Sequence, residues 1–202
     1  MPKPKPKHYF HQDNLPQSMA FLRAGGVLAY PSESVWGLGC DASDEQALQR
    51  IVTLKQRDLG KGLIVLTDQA KRLKSALSDE LIERLQSIGA KHMLQQGRAS
   101  TWLVPMPTKV INPLLMGDFG TLAVRITPHP ILANICQHLV SDANPYGFLV
   151  STSCNPSGQN PATSLQEAYD YFGEEVGYLD VQSLGFKQPS QIIDLMTGKV
   201  FR

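Results

Sequence analysis

The sequence predicts a single α/β domain built on a twisted, mixed β-sheet with flanking helices. Three observations lead to this prediction. The 202 residues suit one domain with ample chain for a core. The composition, 42% hydrophobic and 18% charged, is that of an ordinary globular protein. Short apolar runs typical of strands mix with helical patterns without strict βαβ alternation, which favours a mixed sheet over a parallel one.

Helices are predicted where apolar residues recur at helical spacing behind a capping residue. Asp13 or Asn14 caps the first helix, and the glycines at 25–26 end it. Ser43 opens a capping box with Gln46 three residues later. The predicted helices cover 15–24, 44–55, 69–76, 78–88 and 130–140, and a further helix begins at Thr163.

Strands are predicted where short apolar runs lie between turn residues. The first run is closed by Pro31, and a loop over 32–42 follows it. Residues 1–9 alternate lysine and proline, which predicts a flexible tail ahead of a domain over 10–202. The predicted strands cover 27–30, 62–67, 101–104, 122–126, 148–152, 177–180, 191–195 and 199–201.

Charge and cysteine content narrow the class of protein. Residues 1–110 carry 15 basic against 10 acidic side chains (+5), and residues 111–202 carry 4 against 8 (−4), for a net charge of +1. A positive half can attract polyanions such as ATP or RNA, and a solvated surface explains the pattern equally well. Three distant cysteines without a CxxC pair predict neither a zinc site nor a disulfide framework, and they fit the reducing cytoplasm. No signal peptide and no apolar run of roughly 18 residues is found, so no membrane contact is expected.

Three polar segments lie directly beside apolar strands, where open α/β sheets place ligands. The first carries the hydroxyls of Ser32 and Ser34, with an ordinary turn as the alternative. The second places Lys55, Arg57 and Lys61 within seven residues. That pattern fits a phosphate clamp or the capping of a helix C-terminus. It is not a P-loop, because GxxxxGK[ST] is absent.

The third segment is the run 150–158, VSTSCNPSG, in which a buried strand enters a cluster of hydroxyls. Its hydroxyls and backbone N–H groups can hold phosphate or carboxylate, and a simple turn is an equal alternative. Cys154 has no obvious base beside it, so a small buried thiol is the better interpretation. The five histidines show no metal-ligand spacing.

Taken together and in order, these segments resemble the YrdC/YciO family, in particular its short bacterial TsaC-type members. The resemblance spans nearly the whole chain, and six matches in order are far more specific than any one of them. The matching segments are 31–39 (PSESVWGLG), 55–57 (KQR), 61–64 (KGLI), 121–125 (TLAVR), 151–158 (STSCNPSG) and 189–202 (PSQIIDLMTGKVFR).

The resemblance implies a YrdC-like fold around a large, positively charged cavity. It implies synthesis of threonylcarbamoyl-AMP and pyrophosphate from L-threonine, bicarbonate and ATP, with Mg²⁺ accompanying the nucleotide. The product serves the threonylcarbamoyladenosine modification of tRNA next to the anticodon. It would be handed to the TsaD protein with TsaB and TsaE. The extra C-terminal domain of longer relatives is not expected here.

The resemblance also implies roles for individual residues. Lys61 stands where many longer relatives carry asparagine, and Leu66 where many carry a histidine that contacts threonine. The implied catalytic residues are Lys55, Arg57, Ser153 and Asn155. The implied ATP-binding residues are Lys55, Arg57, Lys61, Thr121, Ser151, Asn155 and Thr163. The implied threonine-binding residues are Ser32, Ser34, Arg125, Ser153 and Ser190.

Two other functions remain open. One is a YrdC/YciO-type module that binds double-stranded RNA or tRNA without making the adenylate, which the basic N-terminal half supports and the net charge of +1 opposes. The other is a carbamoyl-transfer module like those of hydrogenase maturation, whose acylphosphatase-like and zinc-binding segments are not found in this sequence.

Overall fold

The computed structural model describes residues 6–107 and 111–201, apart from the side chains of residues 88–96. The described strands are β1 Tyr9–His11, β2 Leu28–Pro31, β3 Trp36–Gly39, β4 Ile64–Thr67, β5 Ser100–Val104, β6 Leu122–Ile126, β7 Leu149–Ser153, β8 Gly177–Asp180 and β9 Gln191–Asp194. The described α-helices are α1 Leu15–Arg23, α2 Glu45–Lys55, α3 Asp79–Gln96, α4 Pro113–Met116, α5 Pro130–Leu139 and α6 Leu165–Phe172.

The nine described strands form one mixed sheet in the order β1-β8-β2-β3-β7-β4-β6-β5-β9. Parallel pairs join β1 to β8, β8 to β2, β4 to β6 and β5 to β9, and the other neighbours are antiparallel. The predicted mixed α/β fold is therefore confirmed. No described helix is both long and apolar enough to cross a membrane.

Each face of the sheet carries an apolar cluster, which makes the domain three layers thick. On one face, α1 and α5 cover a cluster that includes Tyr30, Leu66 and Leu149. On the other face, α2, α3 and α6 cover a larger cluster that includes Val65 and Val150. Because side chains alternate along a strand, neighbouring residues such as 65 and 66 serve opposite layers.

The helices α1 and α5 cover only part of their face. Ile64 is in register with Ser151, and Gly37 is in register with Ser153. Leu66 is in register with Arg125. Residues in register point to the same side of a sheet, so these polar side chains share a face with the Leu66 cluster. They form a polar region beside that cluster.

The strand β3 lies inside the region predicted as a loop. A loop is predicted there because the glycines at 37 and 39 resemble turn residues. The structure shows a different reason for them. A Cβ on Gly39 would lie 1.8 Å from the carbonyl oxygen of Val150, and one on Gly37 would lie 2.8 Å from the Tyr30 ring. Glycine is therefore required for close packing between strands, which local sequence cannot reveal.

Element ends differ from prediction in several places. Asp44, and not Ser43, caps α2: its carboxylate accepts from the Ala47 N–H at 2.9 Å, while the Ser43 hydroxyl donates to Asp41 at 2.8 Å. Ser164 caps α6, which starts two residues after the predicted Thr163. The predicted helix at 69–76 is a 3₁₀ turn over 70–75, and α3 continues to 96. The predicted strand at 199–201 makes only an isolated bridge. The elements β1 and α4 were not predicted.

Two residues of the predicted tail over 1–9, Lys7 and Tyr9, contact the rest of the domain. Tyr9 begins β1, and its hydroxyl donates to Asp180 at 2.6 Å. The backbone N–H of Lys7 donates to Glu174 at 2.9 Å. Residues 1–5 lie outside the described residues.

Candidate active site

A cavity of about 670 Å³ opens on the sheet face that α1 and α5 leave uncovered. Strands β6 and β7 contribute Arg125, Ser151 and Ser153, and the loop between β2 and β3 contributes one wall. The connection between β8 and β9, residues 181–190, closes another side and is called the roof segment below. The described lining residues are Ser32, Glu33, Ser34, Val35, Trp36, Gly37, Arg57, Ile64, Ala99, Arg125, Ser151, Thr152, Ser153, Pro161, Gly185, Phe186, Lys187, Gln188, Pro189 and Ser190.

The charged side chains that line the cavity are mostly cationic. Among the described lining residues, Arg57, Arg125 and Lys187 are basic and Glu33 is acidic. Serine hydroxyls surround them. Guanidinium groups and hydroxyls bind carboxylate and phosphate, so this lining suits anionic ligands.

Arg125 is almost fully buried within a hydrogen-bond network. Its Nη1 donates to Glu33 Oε2 at 2.7 Å, its Nε to Thr101 Oγ1 at 3.1 Å and its Nη2 to Ser190 Oγ at 2.9 Å. The Thr101 hydroxyl donates to Ser190 Oγ at 2.9 Å. These contacts hold the guanidinium in one position before any ligand is present.

Glu33 is 2% exposed and is bound from two sides. Its Oε1 accepts from the Thr127 hydroxyl at 2.8 Å, opposite the contact with Arg125. Burial alone would raise the pKa of Glu33. The Arg125 charge and the Thr127 hydrogen bond outweigh burial and hold the pKa below its usual range. The carboxylate is therefore ionised at neutral pH.

Lys55 and Arg57, called the KxR pair, lie where α2 ends. Gln56 adopts a left-handed backbone (φ 49°, ψ 46°), which is uncommon for a residue with a side chain. The N–H of Gln56 donates to Thr53 and that of Arg57 to Val52, at 3.1 and 3.0 Å, and these bonds close the helix. Lys55 and Arg57 lie on either side of this turn, and their side chains reach different parts of the structure.

Lys55 is 2% exposed and binds the end of β7. Its ammonium donates to the carbonyl oxygens of Ser153 and of Asn155, the second at 2.6 Å. Its own carbonyl accepts from the Ser157 N–H at 2.8 Å. Burial, and then the nearby Arg57 charge, lowers the pKa of Lys55 to about 8. The KxR pair is therefore in direct contact with residues 151–155 (STSCN, called the SxN segment), through the ammonium of Lys55.

Arg57 lines the cavity itself. Its Nε and Nη2 donate to the carbonyl oxygen of Gly62 at 3.1 and 2.8 Å. Its Nη1 has no partner among the described residues. The guanidinium is held in place through Nε and Nη2, so its unpaired Nη1 is suited to bind a phosphate.

The SxN segment combines hydroxyls that line the cavity with a buried amide. Ser151 and Ser153 line the cavity. Asn155 is 8% exposed, and its Nδ2 donates to the carbonyl oxygens of Pro156 and Gln159 at 2.9 and 2.8 Å. Its Oδ1 is buried and has no hydrogen-bond partner within the described residues. A buried acceptor without a partner is unfavourable, so it is suited to a donor from a ligand.

Comparison with known proteins identifies the family of this chain. The model of the Sua5/YciO/YrdC family, described as "Telomere recombination", matches residues 20–202. The chain belongs to the Sua5/YciO/YrdC family.

Relatives with full-length coverage are enzymes by name. A protein of Moraxella catarrhalis named threonylcarbamoyl-AMP synthase is 51% identical over 200 residues, which cover 97% of this chain and 98% of the relative. One of the same name from Acinetobacter baumannii is 42% identical over 184 residues, or 90% and 93% of the two chains. An H234A/Y235A variant of P. abyssi Sua5 superposes with a TM-score of 0.77 at 25% identity over 95% of this chain and 58% of that one. The chain thus spans under two thirds of that longer Sua5 protein.

The structure brings most of the predicted family-site residues together. Those that line the cavity are Ser32, Ser34, Arg57, Arg125, Ser151, Ser153 and Ser190. The Ser32 hydroxyl donates to the Val35 carbonyl at 2.6 Å and so also holds its loop. Leu66 is fully buried in the apolar cluster next to Arg125 and does not line the cavity.

Five predicted residues do not line it. Lys55 and Asn155 are both buried, and neither lines the cavity. Lys61 is exposed at the end of a 3₁₀ turn, and Thr121 is half-buried just before β6. Thr163 is exposed, and its hydroxyl donates to Glu167 at 2.8 Å next to the start of α6.

Sequence reasoning did not single out Glu33, Thr101 or Lys187. Glu33 lies within the segment 31–39, and its position between two serines after a buried strand is the signal that could mark it. Thr101 was assigned only to a strand. Lys187 lies in the roof segment, where no local pattern indicated a ligand site.

The family implies Mg²⁺ with the nucleotide, and carboxylate oxygens are the side-chain ligands that would coordinate it. The described residues contain no cluster of three or more histidine, cysteine, aspartate or glutamate side chains suited to a metal. Glu33 supplies the one carboxylate among the described lining residues, and Arg125 and Thr127 already bind its oxygens. The side chains do not fit a resident Mg²⁺ site.

Proposed function

We propose that this chain is a threonylcarbamoyl-AMP synthase, with its catalytic domain over residues 10–202. It joins L-threonine, bicarbonate and ATP into L-threonylcarbamoyl-AMP and pyrophosphate for the modification of tRNA next to the anticodon. The observation that carries the proposal is one cavity in which Arg57 and Arg125 approach from different elements, as two anionic substrates require. The 51% identity to a full-length relative of that name supports it.

The chemistry needs anion binding more than a nucleophile. The threonine amine attacks bicarbonate and gives a carbamate, with loss of water. A carbamate oxygen then attacks the α-phosphorus of ATP, and pyrophosphate leaves. The protein must hold the reactants together and offset developing charge. Cys154 is an unsuitable nucleophile because burial raises its pKa to about 12 and keeps the thiol protonated.

Threonine would bind at the Arg125 end. The guanidinium and the Ser190 hydroxyl, held 2.9 Å apart, would receive its carboxylate. Ser32, Ser34 and Ser153 line the same cavity and offer hydroxyls to the rest of the amino acid.

ATP would bind at the Arg57 end. Arg57 and Ser151 would contact its phosphates. Asn155 does not line the cavity, so its buried Oδ1 would accept a hydrogen bond only from a part of the nucleotide that extends beyond it. Lys55 would act mainly by holding the SxN segment and adding positive charge behind it. The remaining implied ATP contacts, Lys61, Thr121 and Thr163, require the nucleotide to extend beyond the cavity. Mg²⁺ would enter as part of the substrate, held by phosphate oxygens and water.

The roof segment beside the cavity suits a reaction whose carbamate intermediate is lost in water. A carbamate reverts readily in water. The roof segment borders the cavity and would shield the intermediate on that side. A reactive mixed anhydride must be passed on, for which TsaD with TsaB and TsaE are the proposed partners. A cytoplasmic location is proposed because tRNA is found there and the three cysteines are free.

The test is release of pyrophosphate from purified protein with all three substrates, and with each omitted in turn. The proposal expects release only when L-threonine, bicarbonate and ATP are present together. Release that does not depend on threonine, or none from folded protein, would contradict it. Tight binding of tRNA or double-stranded RNA by a protein that releases no pyrophosphate would instead support the RNA-binding alternative.

A further inference from the structure

Glu33 is a buried carboxylate in the cavity, and the proposed reaction gives it no chemical role. Its side chain is enclosed between Arg125 and Thr127, at 2.7 and 2.8 Å. The backbone N–H of His129, two residues after Thr127, donates to the Thr127 hydroxyl oxygen at 3.2 Å. Strand β6 and the start of α5 therefore both support the carboxylate.

The same residue also holds the roof segment. The backbone carbonyl of Glu33 accepts from the Phe186 N–H at 2.8 Å. Its partner Arg125 donates to Ser190 at the end of the segment, and His129 Nε2 lies 2.9 Å from the carbonyl oxygen of Gln182 near its start. The roof segment is thus attached at three points to one network that has Glu33 at its centre.

The network leaves Arg125 able to bind a ligand. Of its five N–H groups, three are used by Glu33, Thr101 and Ser190. Within the described contacts, one N–H on each terminal nitrogen remains. Arg125 is 8% exposed and borders the cavity, so those groups are the part of the guanidinium that a substrate can use.

We propose that Glu33 is the positioning residue of the threonine subsite: it holds Arg125 charged and oriented before the amino acid binds. This inference rests on the proposed function for the identity of the ligand. A buried guanidinium without a counter-ion is strongly unfavourable, and it would turn toward water whenever the subsite was empty. Glu33 keeps the subsite formed between turnovers, so threonine does not have to reorder it on binding.

Glutamine cannot replace Glu33 in this role. A carboxylate accepts from Arg125 and Thr127 at once, one oxygen for each. A glutamine has one acceptor oxygen, so its amide N–H₂ must face one of the two donors. Glu33→Gln therefore leaves either Arg125 or Thr127 without an acceptor, with nearly unchanged side-chain volume.

The experiment compares Glu33→Gln with the wild type by L-threonine calorimetry and by steady-state kinetics. The expected result is a 10- to 100-fold weaker Kd and higher KM for threonine, since hydrogen bonds to charged groups are of about that strength. The KM for ATP should stay within about twofold, because the ATP end uses other residues. A wild-type Kd for threonine would overturn the inference.

A matched control separates positioning from general damage. Asp68 is another carboxylate buried in an arginine pair, with its side chain 3% exposed and Arg72 Nε at 2.9 Å, and it does not line the cavity. Asp68→Asn should lower the unfolding midpoint and leave both KM values unchanged. Equal rises in both KM values for Glu33→Gln would mark its effect as structural and overturn the inference.

A second pair of variants keeps the test decisive if Glu33→Gln folds poorly. Thr127→Val removes one hydrogen bond to Glu33 and leaves the ion pair, and it should weaken threonine binding severalfold. Thr127→Ser should restore the affinity, and equal affinities for the two would overturn the inference. If the wild type binds threonine but releases no pyrophosphate, the proposed reaction is wrong, while the calorimetric comparison still decides the role of Glu33.

Discussion

Replacing Lys55 by methionine removes one ammonium from the contact between the KxR and SxN segments. The Asn155 carbonyl loses its donor, while the Ser153 carbonyl still accepts from the Asn155 N–H at 3.0 Å. One unpaired buried carbonyl costs about 1–3 kcal/mol. Burying the ammonium, and placing it near Arg57, is itself unfavourable. A pKa lowered from 10.5 to about 8 corresponds to about 3.5 kcal/mol at roughly 1.4 kcal/mol per unit.

The burial cost offsets the unpaired carbonyl, so Lys55→Met should leave the free energy of unfolding unchanged or raise it by up to about 2.5 kcal/mol. Turnover should fall by about 10²–10³, because the SxN segment loses its anchor and the phosphates lose a nearby charge. Urea unfolding and pyrophosphate release measure the two quantities. Lys61→Met is the matched control for stability, since Lys61 is exposed, and its unfolding free energy should change by less than about 0.5 kcal/mol.

Two results would refute this reasoning. Wild-type turnover in folded Lys55→Met would show that the ammonium does not support catalysis. A loss of stability above about 1 kcal/mol would show that the burial cost assigned to Lys55 is too large, because that cost would then fail to offset the unpaired Asn155 carbonyl.

The remaining predictions concern Arg57, pH and Gly39. Arg57→Ala should lower turnover by about 10²–10³ without unfolding the protein, and wild-type pyrophosphate release would contradict the phosphate assignment. ATP should bind more weakly as the pH rises through about 8, because Lys55 is charged below that pKa and neutral above it. Calorimetry in the absence of threonine and bicarbonate checks this, and Lys55→Arg should bind ATP with little pH dependence over that range. Gly39→Ala should destabilise the fold by about 3 kcal/mol in urea unfolding, because its Cβ would meet the Val150 carbonyl at 1.8 Å. An unchanged midpoint would show that β3 and β7 can separate at little cost.

Local pattern was sufficient for much of the fold. Apolar runs of period two and capped runs of helical period are read within a few residues, so β6 at 122–126 and the body of α5 were predicted closely. Pattern failed where tertiary packing set the residue choice. The glycines of β3 are needed because Tyr30 and Val150 pack against them, and neither contact leaves a local signal.

The mixed α/β class, the family and the polar segments of the site can be predicted from the sequence, because those features depend on composition, periodicity and order along the chain. Which side chains face the cavity depends on the tertiary fold. It turned Lys55 toward two carbonyls and left Arg57 at the surface of the cavity. It also paired Glu33 with Arg125, 92 positions away. Such contacts depend on strand order and register, which bring distant residues onto one face and which no local period encodes.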